Sequence, residues 1–295
     1  MLFDGNLGWR MRPNQAFGSG RQIGPDGYQS AIFFEDTPEW GLFSGSTGWS
    51  WGIDKEAETL HVGLAQTLKV NIKNFSGVSY NIFKTLIQMS LLHLEGRLPH
   101  YNIVYMGVCE AYTIAHGQHL SSNPRDDRVA RTLRDFEDYY YNRIQWKSIF
   151  TAALKKIGNS IFTAKQTKRQ ADAFILDDDK FAALYEETIQ VMKRINVFCE
   201  GRVLFVLEPS LYHKNLRTRA EIDILKANQA KHPLLGQAFS GLYTYIKKNA
   251  ESLSLVDASS VVENDPREAY GDYCHPDAQT LDAVIRAINE KIQKR

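Results

Sequence analysis

Short apolar runs separated by amphipathic stretches recur along this chain, and that alternation is the pattern of a parallel sheet flanked by helices. Trp40 to Phe43 reads as a strand running straight into a small-residue turn. From Ala57 to Leu68, leucines at 60, 64 and 68 with Val62 and Ala65 form a helical stripe, and Val70 and Ile72 then alternate as a strand. Asn81 is placed to cap a helix whose apolar face takes Ile82, Leu86, Met89 and His93, with Gly96 and Pro99 as its stop. Ile103 to Met106 is a buried strand. Asp178 to Cys199 carries Phe181, Leu184, Tyr185, Thr188, Val191, Met192 and Ile195 at helical spacing, and Gly201 ends it before the strand Val203 to Leu207. Leu253, Leu255 and Val256 suggest another strand, and Ala278 to Lys291 a last helix with Leu281, Val284, Ile285 and Ile288 on one face. The fold expected is α/β, a doubly wound, mainly parallel sheet in a three-layer arrangement. Ligands of such sheets sit at the carboxyl ends of the strands.

The 295 residues suit one domain spanning 1–295. The rhythm breaks between about 117 and 172, where DFEDYYYNRIQW and KKIGNSIFTAKQTKR are aromatic and basic by turns, and a helical insertion or lid is expected there. Tyr139, Tyr140 and Tyr141 in it are read either as packing or as the lining of a sugar cleft, and Lys155 to Arg169 as a solvated face. With 35 basic against 34 acidic side chains, the net charge of +1 gives no field suited to nucleic acid, so the expected partner is a small or neutral molecule. Hydrophobic residues at 43% and aromatics at 12% argue against long disorder.

Cys109, Cys199 and Cys274 form no CxxC pair and give an odd count, so neither a zinc knuckle nor a disulfide framework is expected, and a reducing compartment fits. No run of about 18 apolar residues suggests a membrane span, and MLFDGNLGWRMRPN lacks the plan of a signal peptide. The expected location is cytoplasmic for the chain as written, or periplasmic or membrane-anchored if an anchor has been trimmed from it. His61, His93, His100, His116, His119, His213 and His232 lack ligand spacing, so no metal is expected, and no cofactor. The oligomeric state stays open.

Four segments could carry chemistry. In GLFSGSTGWSWG at 41 to 52 a strand meets Ser-Gly-Ser-Thr-Gly, and a serine at such a turn has its hydroxyl held out at the sheet edge beside backbone N–H groups. The plainer reading is a flexible small-residue loop. In GDYCHPD at 271 to 277, Asp272 and His275 stand three residues apart, a spacing that lets a carboxylate orient an imidazole; the alternative is that Asp272 or Asp277 caps the last helix. NFSGVSYN at 74 to 81 holds Gly77, which either brings an N–H close to a substrate oxygen or relieves the turn. YNIVYMGVCEAY at 101 to 112 is a strand ending in Gly107, followed by Cys109 and Glu110.

In order and spacing these four segments resemble the blocks of the SGNH (GDSL-like) hydrolases. The resemblance implies Ser46 within SGST as nucleophile, His275 as general base and Asp272 as its orienting carboxylate, with Ser46, Gly77 and the Cys109 position as oxyanion donors. LGWRMRPN at 7 to 14, DGYQS at 26 to 30 and VLFVLEPSLYHK at 203 to 214 are similar to a bacterial subgroup, so the likeness spans most of the chain apart from the insertion. Two departures stand out. Where the family's third block carries Asn this chain reads GVCE, and a thiol is only a weak donor. The glycine block also lacks its usual second glycine. Losing one oxyanion donor costs roughly 10² to 10³ in turnover. Backbone N–H groups alone, or a nearby amide such as Asn81, are the expected compensations. Cys109 as an alternative nucleophile is disfavoured because no base adjoins it.

What the resemblance implies is a serine esterase acting on an O-acyl group, with an O-acetyl ester of a carbohydrate as the preferred substrate, and Trp49, Trp51 and Asn81 as substrate contacts. Two rivals are an acyltransferase using the same residues and a non-catalytic glycan- or partner-binding module, the latter motivated by Cys109.

Overall fold

The computed structural model of the chain describes residues 2–4, 8–10, 13–14, 23–26, 28–35, 37–50, 52–120 and 178–294. Strands β1 (Leu2–Asp4) and β2 (Gly8–Arg10) form a small antiparallel pair. The main sheet contains β3 (Gln29–Ala31), β4 (Glu39–Ser44), β5 (Asn71–Asn74), β6 (Tyr101–Met106), β7 (Val203–Leu207) and β8 (Leu255–Asp257), in the order β3-β5-β4-β6-β7-β8. All neighbours run parallel except the edge strand β3, which is antiparallel to β5. The architecture is the three-layer α/β sheet expected from the sequence.

Winding reverses at β4, which lies between β5 and β6. Helix α1 (Leu60–Leu68) links β4 to β5, and α2 (Ile82–Leu94) returns the chain past β4 to β6. Right-handed crossovers in opposite directions must cover opposite faces. Accordingly, Leu60 and Leu64 of α1 share one core with Leu281, Val284 and Ile288 of the terminal helix. The other core takes residues of α2, α3 (Val108–Ala115), α4 (Asp178–Phe198) and α6 (Leu235–Asn249). The central strands serve both cores: in β7 Val203, Phe205 and Leu207 face one, Leu204 and Val206 the other. This is why β7 reads as an unbroken apolar run. The reversal opens a crevice at the carboxyl end of β4, the position where doubly wound sheets bind ligands.

Expected elements recur with small boundary shifts. The first turn of the stripe at Ala57 is a separate 3₁₀ turn, Glu56–Glu58, and α1 begins at Leu60. Asn81 caps α2, its side chain accepting the Lys84 N–H. His93, expected on the apolar face, is exposed. Asp277 caps the terminal helix α7 (Ala278–Gln293) through the Thr280 N–H. Three helices were not anticipated. In α5 (Arg219–Lys231) the only buried residue is Glu221, so there is no apolar stripe to read. Helix α6 does show one, with Leu235, Ala238, Phe239, Leu242, Tyr243 and Ile246 all buried. Helix α3 is short and follows β6 with only Gly107 between them. The expected insertion lies outside the described residues from 121 onward, as do Tyr139, Tyr140, Tyr141 and Lys155 to Arg169. Among the described residues no helix is long and apolar enough to cross a membrane.

The segment that leads to His275 is fixed by a buried ion pair. Lys214 and Glu221 have fully buried side chains, and the ammonium donates to both carboxylate oxygens at 2.7 and 2.6 Å and to the Arg267 carbonyl. Glu221 also accepts the N–H groups of Thr218 and Ala269. Removing one partner strands a buried charge, whereas the intact pair contributes little net stability. Lys214→Met is therefore expected to cost about 3–5 kcal/mol, measured as a lower midpoint in urea unfolding. An unchanged midpoint would show that Glu221 is held by its backbone donors alone.

Candidate active site

The loop after β4 presents one side chain to solvent. From Gly41 to Ser50 every residue is buried except Ser46. The loop turns tightly because the Gly48 N–H donates to Ser44 Oγ at 3.2 Å and the Ser50 N–H to the Thr47 carbonyl at 2.9 Å. It is bolted to the loop after β5: Asn74 Nδ2 donates to the Gly48 carbonyl at 3.1 Å, and Trp49 Nε1 donates to the Ser76 carbonyl at 2.6 Å. Gly45 is required by close approach, since a Cβ there would lie 2.6 Å from Cys109 Sγ and 3.1 Å from the Tyr80 carbonyl. The hydroxyl of Ser46 is thus held by a rigid backbone, the condition a nucleophile needs.

His275 reaches this hydroxyl from a segment 229 residues away, its Nε2 lying 2.9 Å from Ser46 Oγ. On the other side of the ring, Nδ1 lies 2.6 Å from Asp272 Oδ2. Asp272 Oδ1 accepts the backbone N–H groups of Cys274 and His275, both at 2.8 Å, so the carboxylate is fixed by its own turn. Burial would raise the Asp272 pKa, but hydrogen bonds from the His275 ring and these two N–H groups outweigh it and hold the carboxyl at about 2. The turn is clamped by a bridge between Tyr270 and Pro276 and by the Leu211 N–H donating to the Tyr273 carbonyl at 3.0 Å. The three residues named from the sequence come together as one hydrogen-bonded chain, carboxylate to imidazole to hydroxyl. Such a chain can take a proton from the hydroxyl and hold the resulting imidazolium.

The oxyanion side differs from expectation. The Gly77 N–H donates to the Ser44 carbonyl at 3.0 Å, so it is spent within the fold and is not free for a substrate oxygen. A Cβ at Gly77 would also meet the Tyr80 ring at 2.6 Å, which accounts for the glycine. Asn81 does not substitute for the missing amide: its oxygen caps α2 and its Nδ2 donates to the Leu120 carbonyl at 3.1 Å. Cys109, in contrast, does stand beside Ser46. Its sulfur packs on Gly45 and takes the backbone N–H of Ser46. Burial, then the charges of Glu110 and Glu208, push this thiol well above its usual range, so it stays protonated and is no thiolate nucleophile. Gly107, which starts α3, has φ of +129°, and a Cβ there would meet the Tyr243 hydroxyl, so only glycine admits this approach of α3 to the sheet end.

Trp49 is buried, with its N–H bonded inside the loop, and is a support of the loop rather than a wall of the cleft. Trp51 lies outside the described residues. Two residues at the site were missed. Cys274 places its sulfur 3.5 Å from His275 Nδ1. Glu208, 2% exposed, follows the last residue of β7, and its Oε1 accepts the Val108 N–H at 2.8 Å. A carboxylate directly after the apolar run VLFVL was the available signal. Among the described residues, Asp272, Cys274 and His275 are the one group whose metal-ligand-type atoms gather within 4.8 Å. Those atoms are already engaged with one another. His116 Nε2 meets His232 Nδ1 at 3.0 Å, and His119 Nδ1 meets Glu187 at 3.0 Å.

No protein-family model matches the chain, and no curated protein matches it. Solved structures are similar to it at low identity. One is a member of the lipolytic protein G-D-S-L family from Veillonella parvula, 8% identical, with 87% of this chain and 99% of that chain covered and a TM-score of 0.45. Another is an α/β-hydrolase enzyme from the metagenome of Lake Arreo, Spain, 11% identical over 88% of this chain and 97% of that one, TM-score 0.45. A third is an acetyl xylan esterase from Geobacillus stearothermophilus, 9% identical over 86% and 94%, TM-score 0.43.

Proposed function

We propose that this chain is a serine esterase that cleaves an O-acyl ester through an acyl-enzyme on Ser46. The observation that carries the reading is the continuous chain from Asp272 Oδ2 through His275 to Ser46 Oγ, at 2.6 and 2.9 Å. His275 Nε2 takes the Ser46 proton as Oγ attacks the carbonyl carbon, and Asp272 stabilises the imidazolium. The carbonyl oxygen becomes an oxyanion facing the Ser46 N–H, where it displaces the Cys109 sulfur as acceptor. Collapse of this intermediate expels the alcohol, which takes the proton from His275. Water then repeats the sequence on the acyl-enzyme and releases the acid.

The substrate in this reading is an O-acetyl ester on a carbohydrate. Tyr112 supports it: three residues after Cys109 on α3 and 38% exposed, its ring packs with those of His116 and His232 at 4.3 and 5.2 Å, an aromatic surface on which a sugar can stack. The test is pre-steady-state hydrolysis of 4-nitrophenyl acetate, followed by a panel of acetylated sugars. A burst of nitrophenolate, with an acetyl adduct on the peptide carrying Ser46, is expected. Protein that is folded yet shows neither burst nor turnover on any ester would sink the reading.

Cys109→Asn separates a weakened enzyme from a binding module. An amide at this position adds a firm donor to the oxyanion, and kcat is expected to rise by roughly 10- to 100-fold, below the full value of one donor because the pocket is shaped for sulfur. Activity appearing only in the variant would favour a wild-type protein that binds without turnover. A variant slower than wild type would mean that the thiol is itself the better fit.

A further inference from the structure

Glu208 lies beneath the proposed site and belongs to none of its reacting groups. Its backbone N–H extends the β6–β7 ladder by donating to the Met106 carbonyl at 2.9 Å, and its carbonyl accepts the Tyr243 hydroxyl at 2.8 Å. The side chain therefore has one fixed direction, toward the crevice. Oε1 accepts the N–H of Val108, the residue before Cys109. The Thr47 hydroxyl, on the residue after Ser46, stands against the same carboxyl. Oε2 is buried with no hydrogen bond at normal distance.

We propose that Glu208 is a positioning residue for the reaction proposed above: it ties the nucleophile loop at Thr47 to the first turn of α3 at Val108, and so sets the gap in which the oxyanion must fit. One group spans both walls of that gap. A protonated carboxyl suits the task, since Oε1 accepts from Val108 while Oε2 can carry a proton to offer to the Thr47 hydroxyl, which otherwise meets Ser44 Oγ at 3.3 Å. An ionised one does not, because it would be a buried charge with no cation against it. The groups that face it are Cys109 and Glu110 at the start of α3, Tyr105 of β6, Tyr243 of α6, and Tyr270 and Cys274 of the loop before α7. All are neutral or negative. Burial first, with the Glu110 carboxyl added, raises Glu208 to about 8, against the opposing influence of the nearby Thr47 hydroxyl and the hydrogen bond from Val108.

The experiment compares wild type, Glu208→Gln and Glu208→Leu in kcat and KM for 4-nitrophenyl acetate across pH 6 to 10, with Tm recorded over a wider range. Wild-type kcat is expected to fall above about pH 8 in a single ionisation. Gln, which keeps the shape and both hydrogen-bonding roles without a titratable proton, should rescue neutral activity and lack that fall. Leu should lose roughly tenfold or more in kcat at every pH with KM nearly unchanged. A Gln variant with the same alkaline fall, or a Leu variant with full kcat, would overturn the proposal. Tm supplies a readout independent of turnover. A carboxyl whose pKa is raised on folding favours the fold at low pH and loses that advantage as pH climbs to the folded pKa. The wild-type Tm should therefore decline relative to Gln from about pH 4.5 and level off above about pH 8. A flat difference overturns the proposal. An inert wild type with the Tm difference intact overturns the esterase reading and the role within it, and is recognisable as that failure.

Discussion

Ser46→Ala is expected to lower kcat for ester hydrolysis by roughly 10⁴ to 10⁶ while leaving the fold intact. The Ser46 hydroxyl makes its hydrogen bond to His275 and is the one partly exposed group of its loop, so its loss removes no buried contact. The turn around it is held by Ser44, Gly48, Asn74 and Trp49 instead. No second nucleophile takes over. Cys109 stands beside the vacated position, but burial and the neighbouring carboxyls keep its thiol protonated, and the imidazole it would need already faces Ser46. Initial rates on 4-nitrophenyl acetate at matched concentration, with circular dichroism and Tm as controls on folding, decide the matter. A variant that keeps the wild-type rate would mean that the observed hydrolysis does not pass through this serine.

Asp272→Asn should cost roughly 10⁴ in kcat with little change in KM. The carboxylate has two tasks here, and an amide keeps only one. Its Oδ1 can go on accepting the N–H groups of Cys274 and His275, so the turn survives. At the second oxygen an NH₂ donor now faces His275 Nδ1, and the ring responds by carrying its proton on Nε2. The nitrogen that should take the Ser46 proton is then itself protonated. The same carboxylate gives a pH signature of stability. Its pKa is depressed on folding, to about 2, so its contribution is complete above the unfolded value near 4 and is lost as pH falls toward 2. The Asn variant should lack that acid-side loss in Tm. Full activity in Asp272→Asn would show that His275 is oriented without it.

The candidate nucleophile, base and carboxylate were legible because their short segments, a serine in a small-residue turn after an apolar strand and an Asp and His three residues apart before an amphipathic helix, resemble blocks of the SGNH hydrolases; spacing alone left a plain loop and a helix cap as alternatives. The strands β4, β6 and β7 and the helices α2, α4 and α7 were legible for a different reason, since burial on both faces or on one stripe writes itself into the order of residues. The donors were not. Gly77 matches the glycine block of the resemblance, yet whether its N–H is free depends on where the Ser44 carbonyl lies across the sheet end. Asn81 and Trp49 failed likewise, because an amide and an indole look available until the partners that consume them, Lys84, Leu120 and Ser76, are placed in space.

The layered α/β class and the parallel strands thus follow from periodicity along the sequence, whereas Ser46, Asp272 and His275 were singled out by the resemblance of their segments to the SGNH blocks. Tertiary structure alone brought His275 across 229 residues to Ser46, set the Cys109 sulfur against Gly45 and Ser46, and buried Glu208 between Thr47 and Val108. The physical reason is common to all three. Hydrogen bonds and desolvation act over a few ångströms in space, and pairs brought that close by the winding of a sheet carry no periodic trace along the chain.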